Sequence, residues 1–193
     1  TTGGGTNTIN VGPTNLNGIT SALVVTGSGS DILNMNDSAS AGPSTGLMTA
    51  TQVLMGAATV TYSGLGNLNL TLAPQTTFAV WASAAGVDTN IASTSGVVTI
   101  GGAGAGHLTS GVVGPVTVMG SDATDLIVDD SSDATGQSVT LDGTTITGIA
   151  PGTITYGQLT TLTILAGDGS DSFTVNGTHA QPTTLNAGDG ADH

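Results

Sequence analysis

The sequence predicts an all-β protein, and in particular a parallel β-solenoid. Glu, Lys and Arg are absent, while Thr, Val, Gly, Ser, Asn and Asp are abundant. β-Branched residues favour strands, and Gly and Asn favour tight corners. Hydrophobic residues make up 37% of the chain but aromatic residues only 3%, which suits a narrow, regular interior. The alternative is a pair of antiparallel β-sandwich repeats, because two units of immunoglobulin-like size fit the length.

Alternating apolar residues predict the strands in chain order. Two polar stretches separate the early strands: the glycine-rich acidic corner Gly27–Asp31 and the turn Asp37–Pro43. The predicted strands cover 6–11, 19–26, 32–35, 47–55, 60–72, 78–81, 97–100, 116–119 and 126–128, and then the pairs Ile154/Tyr156, Leu162/Ile164 and Phe173/Val175. The connection between 81 and 97 is rich in Ser, Ala and Asn, and no strand is predicted there.

A diverged internal repeat becomes visible when the chain is shifted on itself by 94 residues. Eleven of the 42 positions from 31 to 72 are then identical, among them Tyr62 with Tyr156 and Leu68 with Leu162. Self-similarity at a fixed shift is the sequence signature of repeat architectures. We therefore expect the end of a preceding repeat in 1–30, a first unit in 31–124 and an incomplete second unit in 125–193, all within one continuous solenoid.

A family resemblance rests on three elements of the second unit. These are LIVDD at 126–130, TITYGQLTTLTI at 153–164 and GDGSDSFTV at 167–175. They resemble the repeats of very large secreted or surface-bound bacterial proteins, whose units carry LxVDD, TITYxxLxxLxI and GxGxDxFxV. The resemblance implies a β-solenoid with a structural or adhesive role at the cell surface, and it implies no catalytic residues.

The charge of −13 comes entirely from aspartate. Because neutralising phosphates requires Lys or Arg, binding to nucleic acid is not expected. Anionic membranes are disfavoured for the same reason. No apolar run approaches the ~20 residues needed to span a bilayer, so membrane insertion is not expected either. Metal cations are the natural counter-charge for such a chain.

The motif GxGxD occurs at three corners, which end at Asp31, Asp171 and Asp192. It resembles half of a calcium-binding RTX nonapeptide, in which Gly permits the turn and Asp supplies a hard oxygen ligand. The last two corners are 21 residues apart, about one turn of a three-sided coil, whereas RTX copies are nine apart. Two interpretations remain open. The aspartates cap tight turns, or stacked corners hold calcium with the ligands Asp168, Asp171, Asp189, Asp192 and Asp31.

The other chemically interesting residues predict no active site. Asp129 and Asp130 read as a solvated turn, because the earlier copy has Met35 and Asn36 in their places. The three histidines, His107, His179 and His193, lack metal-site spacing. Trp81 is the one candidate for a ligand platform, although core filling is the favoured role. We therefore expect no enzyme.

These observations predict a structural repeat module of an extracellular bacterial fibre, surface layer or long adhesin. Neither end of the sequence reads as a cap, so we expect end-to-end contacts with copies of the chain or neighbouring repeats. A carbohydrate- or ice-binding module is the alternative, and surface polysaccharide is then a further partner. The ice hypothesis rests on three T-x-T pairs: Thr59/Thr61, Thr153/Thr155 and Thr161/Thr163.

Overall fold

A computed structural model describes residues 3–103 and 106–193, and within them the protein is all-β. About 49% of residues lie in strands and 2% in helix, so the all-β part of the predicted fold class is confirmed. One 3-10 turn, Thr109–Gly111, interrupts the strands. In chain order the strands are β1 (Thr8–Val11), β2 (Leu23–Asn36), β3 (Thr45–Met48), β4 (Gln52–Met55), β5 (Ala58–Thr71), β6 (Thr76–Val80), β7 (Asp88–Ala92), β8 (Gly96–Gly101), β9 (Val116–Met119), β10 (Thr124–Asp129), β11 (Ser138–Leu141), β12 (Thr145–Thr147), β13 (Ile154–Gly157), β14 (Thr161–Leu165), β15 (Ser172–Val175) and β16 (Thr183–Asn186).

The sixteen strands form one large, unclosed and mostly parallel sheet. Among the described residues, eleven of the fifteen strand pairings are parallel. Each of the four antiparallel pairings has β4 or β12 as one partner. β4 lies between β3 and β5, and β12 lies between β11 and β13. Two antiparallel sandwich repeats, the alternative weighed from the sequence, are therefore not the architecture.

Two parallel ladders run through the sheet. Ladder A contains β1, β2, β5, β7, β9 and β13. Ladder B contains β3, β6, β8, β10, β14 and β16. In ladder B, paired residues are separated in the sequence by 32, 20, 28, 36 and 21 residues, as in the stacked series Gly46, Phe78, Val98, Leu126, Leu162 and Thr183. These steps are uneven, because loops and the antiparallel strands lengthen several of them.

The strand pairings themselves repeat. The six pairings among β1–β7 recur as seven among β8–β16, because the long strands β2 and β5 each correspond to two strands, β9 with β10 and β13 with β14. Only two pairings remain, β6 with β8 and β7 with β9. These two form the internal junction between the copies. Since a repeat can be divided at any phase, the boundaries at 30/31 and 124/125 stay a prediction.

Equivalent strands exchange ladders between the copies. The second half of β5 lies in ladder A, whereas its counterpart β14 lies in ladder B. Likewise the second half of β2 lies in ladder A and its counterpart β10 in ladder B. Each ladder is therefore a composite of both copies, held together by the two junction pairings.

The interior is built from alternate residues of each strand. In β10 the buried residues are Thr124, Leu126 and Val128, and in β14 they are Leu162 and Ile164. Two tyrosines close the antiparallel segments in the same way. The Tyr62 hydroxyl donates to the Thr49 carbonyl at 2.7 Å, and the Tyr156 hydroxyl donates to the Asp142 carbonyl at 2.5 Å. Both tyrosines are buried, and these contacts anchor them at the edge of the core.

The outward side of ladder A carries a column of asparagines. The Asn34 amide donates to Asn10 at 2.7 Å, Asn69 to Asn34 at 2.7 Å, and Asn90 to Asn69 at 2.9 Å. Such amide ladders satisfy donor and acceptor along stacked strands. In the second copy the ladder-B counterparts of Asn34 and Asn69 are Ile127 and Thr163, so this column belongs to the first copy alone.

Three predictions about the strands were wrong. The acidic corner Gly27–Asp31 lies inside β2, where its register with β5 shifts and Gly29 takes a φ of 98°. A strand, β7, forms in the connection where none was predicted. The predicted strand 47–55 is two antiparallel strands, β3 and β4, joined by a turn at 49–51.

Candidate functional site

The GxGxD corner at Asp31 is built around a buried carboxylate. One oxygen, Oδ1, accepts the Asn7 backbone N–H at 2.7 Å and the Asn7 side-chain amide at 2.8 Å. The other, Oδ2, accepts the Ser28 backbone N–H at 2.6 Å and the Ser28 hydroxyl at 3.0 Å. Asn7 lies directly before β1, on the strand that neighbours Asp31. The carboxylate therefore links two stacked strands. Hydrogen bonds of this kind compensate a buried carboxylate where no Lys or Arg is present.

The two later corners are linked to one another. Asp171 is buried, and its Oδ1 accepts the Gln137 backbone N–H at 2.7 Å. The Asp171 backbone N–H donates in turn to Oδ1 of Asp192 at 2.9 Å. Each carboxylate therefore binds a backbone N–H of the preceding ladder step. The predicted turn-capping role of these aspartates describes this geometry.

Two further aspartates make the same contact, and the sequence reasoning missed both. Asp37 is buried and accepts the Leu16 backbone N–H at 2.9 Å. Asp130 is completely buried and accepts the Thr109 backbone N–H at 2.8 Å. In both cases the donor lies 21 residues earlier. Both aspartates follow a strand directly, and that position was the available signal. The solvated turn expected at Asp129–Asp130 is wrong for Asp130, because its carboxylate faces inward.

Burial governs the electrostatics around Asp130. Its pKa is raised, chiefly by desolvation, although hydrogen bonds from Thr109 and Gln137 oppose the shift and the charge of Asp133 adds to it. At Asp133 desolvation is outweighed by hydrogen bonds from Thr135 and Gln137, so its pKa is lowered. The Gln137 amide donates to both carboxylates, at 2.6 Å and 3.0 Å. Its own carbonyl oxygen is buried and makes no hydrogen bond.

The predicted calcium ligands are not gathered into a cation site. Asp168 and Asp189 are exposed, Asp192 is half-buried, and Asp31 and Asp171 are buried with backbone donors. Within the described ranges no group of three or more His, Cys, Asp or Glu side chains is placed to hold a metal ion. Calcium binding at these corners therefore stays a prediction.

Asp31, Thr77, Asp125 and Asp171 are spaced by 46, 48 and 46 residues, and this spacing predicts a column of stacked side chains. The prediction is one residue out of step, because Thr77 is exposed and Asp125 half-buried. The inward positions belong to Thr76 and Thr124, both buried. A one-residue shift along a strand moves a side chain to the opposite face. Thr76 donates to the Ala73 carbonyl at 2.7 Å and Thr124 to the Ser93 carbonyl at 3.2 Å.

The candidate ligand-binding side chains are engaged with the protein. The ring of Trp81 stacks on His107 with centroids 3.8 Å apart and an angle of 18°, so one of its faces is covered. His179 meets the edge of Tyr156 at 5.8 Å. The three T-x-T pairs fall on β5, β13 and β14, and these strands do not pair with one another. They therefore form no continuous rank, which removes the observation that favoured ice binding.

A cleft of about 500 Å³ lies beside β5 and offers little chemistry. Its lining includes Tyr62, Ser63, Leu65 and Val87, together with several glycines and alanines, and contains no carboxylate or histidine. The Tyr62 hydroxyl is already committed to a backbone carbonyl, and burial raises its pKa.

The open strand edges form a second candidate site, at the ends where the sequence predicted end-to-end contacts. In the described part of the chain, β1, β15 and β16 each pair with one strand, and residues 23–25 of β2 pair only with β5. Three residues on these edges are apolar and exposed: Val24 on β2 (66%), Val175 on β15 (53%) and Leu185 on β16 (36%). Val80 and Ile91, the counterparts of Val175 and Leu185 in the first copy, are 0% and 1% exposed. Core-type residues are therefore uncovered on β16, which ends ladder B, and on β15, which pairs only with β11.

Comparison with known proteins returned no matching family model, curated protein or solved structure. No helix in the described residues is long and apolar enough to cross a membrane.

Proposed function

We propose that this protein is a structural repeat module of an extracellular bacterial fibre, surface layer or long adhesin, and that it associates end to end. In this proposal its two ladders are faces of a parallel β-solenoid. One observation carries it: the strand-pairing network of β1–β7 recurs in β8–β16, and the ends of that network remain open. A network that repeats by stacking has no intrinsic stop, because each added copy covers the edge left by the one before.

The distribution of chemical groups agrees with a structural role. The buried carboxylates are used by backbone donors, and the cleft beside β5 lacks titratable groups suited to catalysis. The chain carries a large negative charge from 13 aspartates with no Lys or Arg, which keeps a long array soluble and free of nonspecific anion binding. The extracellular location and the bacterial source follow from the sequence resemblance and belong to the same proposal.

Sedimentation velocity across a range of concentrations, together with negative-stain imaging, tests the proposal. We expect linear oligomers whose length grows with protein concentration, because each added copy leaves a new open edge. A compact monomer at every concentration would contradict it. A chain fused to a second copy of itself provides a reference, since it should sediment as the rod that two stacked copies make.

Calcium is a separate part of the proposal, supported by the acidic corners and the lack of any basic side chain. If calcium binds the folded state alone, the melting temperature rises with calcium concentration. Asp189→Asn, which removes an exposed carboxylate without touching a buried hydrogen bond, should reduce that rise. A melting temperature that neither calcium nor a chelator changes would remove calcium from the proposal and leave end-to-end association intact.

A further inference from the structure

The internal junction between the two copies is a template for an external one. At that junction β8 packs on β6 in the register Phe78–Val98 and Val80–Ile100, and β9 packs on β7 in the register Thr89–Val116 and Ile91–Val118. All of these residues are buried. Every other pairing of the sheet lies within one copy, so these two pairings show how the end of one copy receives the start of the next.

The receiving strands exist a second time, at β15 and β16. Phe173 and Val175 of β15 correspond to Phe78 and Val80 of β6, because β15 pairs with β11 as β6 pairs with β3. Thr183 and Leu185 of β16 correspond to Thr89 and Ile91 of β7, because β16 pairs with β14 as β7 pairs with the second half of β5. Thr183 and Thr89 each have a buried side-chain hydroxyl that makes no hydrogen bond.

The entering strands also exist a second time, at β1 and the start of β2. Ile9 and Val11 correspond to Val98 and Ile100, since β1 pairs with β2 as β8 pairs with β10. Leu23 and Val25 correspond to Val116 and Val118, since Val25 pairs with Tyr62 as Val118 pairs with the equivalent Tyr156. The two ends of the protein are therefore complementary, because each matches one side of a junction that the protein already contains.

We infer that a second copy of this chain docks head to tail, with Leu23–Val25 adding to the edge of β16 and Ile9–Val11 adding to the edge of β15. The inference rests on the proposed function and specifies its interface. The register follows from the internal junction: Leu23 faces Thr183, Val25 faces Leu185, Ile9 faces Phe173 and Val11 faces Val175. Strand addition of this kind pairs backbone groups along the edge, while the apolar side chains fill the interior.

One position on the edge of β15 is already occupied by the backbone of His193. The Phe173 N–H donates to the His193 carbonyl at 2.9 Å, and the His193 N–H donates to the Asp171 carbonyl at 2.9 Å. His193 therefore occupies the place that Val97 has beside β6. In the docked pair, Ile9 takes the position beside Phe173 that Val98 has beside Phe78 at the internal junction.

Disulfide trapping tests the register directly, because the chain contains no cysteine. Paired strands lie ~4.8 Å apart, within the Cα separation of ~4.4–6.8 Å that a disulfide requires. A mixture of Leu23→Cys and Thr183→Cys chains should form a covalent dimer on mild oxidation, whereas neither variant alone should do so. The control mixture is Val24→Cys with Thr183→Cys, since Val24 is adjacent but points outward and is 66% exposed.

A charge at the interface tests the docking face in a second way. Val175→Asp should weaken association at least about tenfold, because the carboxylate would be buried without a partner. The matched control is Val113→Asp, which places the same charge on a residue that is 46% exposed and lies on neither open edge. This control should associate like the unmodified chain.

The outcomes separate this inference from the proposed function. Oligomers that form without the Leu23–Thr183 crosslink, or that Val175→Asp leaves intact, would overturn the docking register while end-to-end association stands. A protein that stays monomeric at every concentration would overturn both. Crosslinking of the Leu23–Thr183 mixture alone, with loss of association in Val175→Asp alone, is the result expected.

Discussion

At the scale of single residues, the aspartates divide into two groups by what their carboxylates contact. Five of them accept a backbone N–H from the preceding ladder step, namely Asp31, Asp37, Asp130, Asp171 and Asp192. Others, such as Asp168 and Asp189, are exposed at the corners. A chain without basic residues keeps its buried carboxylates by supplying N–H donors, so these side chains act as structural hydrogen-bond acceptors.

The first prediction compares two aspartates of the same corner. Asp171→Ala should lower the free energy of unfolding by about 1–3 kcal/mol, because the Gln137 N–H loses its acceptor. Asp168→Ala, three residues earlier and exposed, should change it by less than about 0.5 kcal/mol. Urea denaturation of both variants measures the difference. Equal effects would show that the carboxylate of Asp171 contributes no more than that of a surface residue.

The second prediction concerns pH and follows from the raised pKa of Asp130. An acid whose pKa is higher in the folded state binds its proton more tightly there. Its stability contribution is therefore greatest below the unfolded value of 3.8 and falls as pH rises through the folded pKa. Asp130→Asn removes this loss, and Gln137 can rotate its amide so that its unpaired carbonyl accepts the new N–H.

Urea midpoints between pH 4 and 7 test this expectation. The stability of Asp130→Asn relative to the unmodified chain should increase with pH and then level off. Asp168→Asn removes the same charge from an exposed site and controls for net charge. A relative stability of Asp130→Asn that decreases with pH would mean that the buried carboxylate is stabilised in its ionised form.

At the scale of strands, the antiparallel segments β3–β4–β5 and β11–β12–β13 are the feature that the two copies share most clearly. In each copy a buried tyrosine on the third strand donates to a carbonyl in the turn between the first two. The tyrosine thus fixes the turn against the strand that follows it. The repeat identified Tyr62 and Tyr156 as equivalent residues, but their hydrogen bonds depend on the antiparallel hairpins. In the first copy, alternation predicted one long strand, 47–55, in place of the hairpin β3–β4.

The third prediction is that Tyr62→Phe and Tyr156→Phe each lower the free energy of unfolding by about 1 kcal/mol. The expected loss is that of one buried hydrogen bond, since the ring and its packing are kept. Both variants should behave alike because the two contacts are equivalent. Chemical denaturation supplies the measurement, and Tyr62→Leu, which also changes the packed volume, should cost more than Tyr62→Phe. A Phe variant that is as stable as the unmodified chain would show that the turn does not need the bond.

Strands with strong alternation of apolar residues were predicted from the sequence. Strands that form because neighbouring strands pair with them were missed. The alternating segments at β5, β9 and β14 were identified from the sequence. In contrast, β7 contains Asp88, Thr89 and Asn90, a composition that favours a loop, and forms because β5 and β9 flank it. The asparagine column was equally invisible, since its members are separated by 24, 35 and 21 residues and share no fixed period.

At the scale of the whole molecule, charge and association oppose each other. Each chain carries a net charge of −13, and no Lys or Arg is available for attractive ion pairs at the docking face. Association must therefore be driven by apolar contact and backbone pairing, against electrostatic repulsion. The open ends were not predictable as a pair of matching surfaces, because that conclusion requires the junction pairings β6–β8 and β7–β9.

The fourth prediction is that added salt strengthens end-to-end association. Raising the ionic strength from 0.01 M to 0.15 M shortens the screening length from ~30 Å to ~8 Å, which removes most of the repulsion between neighbouring copies. Sedimentation velocity at the two salt concentrations should show longer oligomers at the higher one. A decrease with salt would indicate that charged groups attract across the interface, contrary to the composition.

The uneven spacing of the ladders bears on how the molecule would respond to tension. Hydrogen bonds between stacked strands point along the ladder, so a force in that direction would separate strands one after another. Each separation would release the 20 to 36 residues that lie between partners in ladder B, or about 70–120 Å of extended chain. A fibre built from such units would lengthen in steps of unequal size under modest load, and it would shorten again as the strands found their former neighbours.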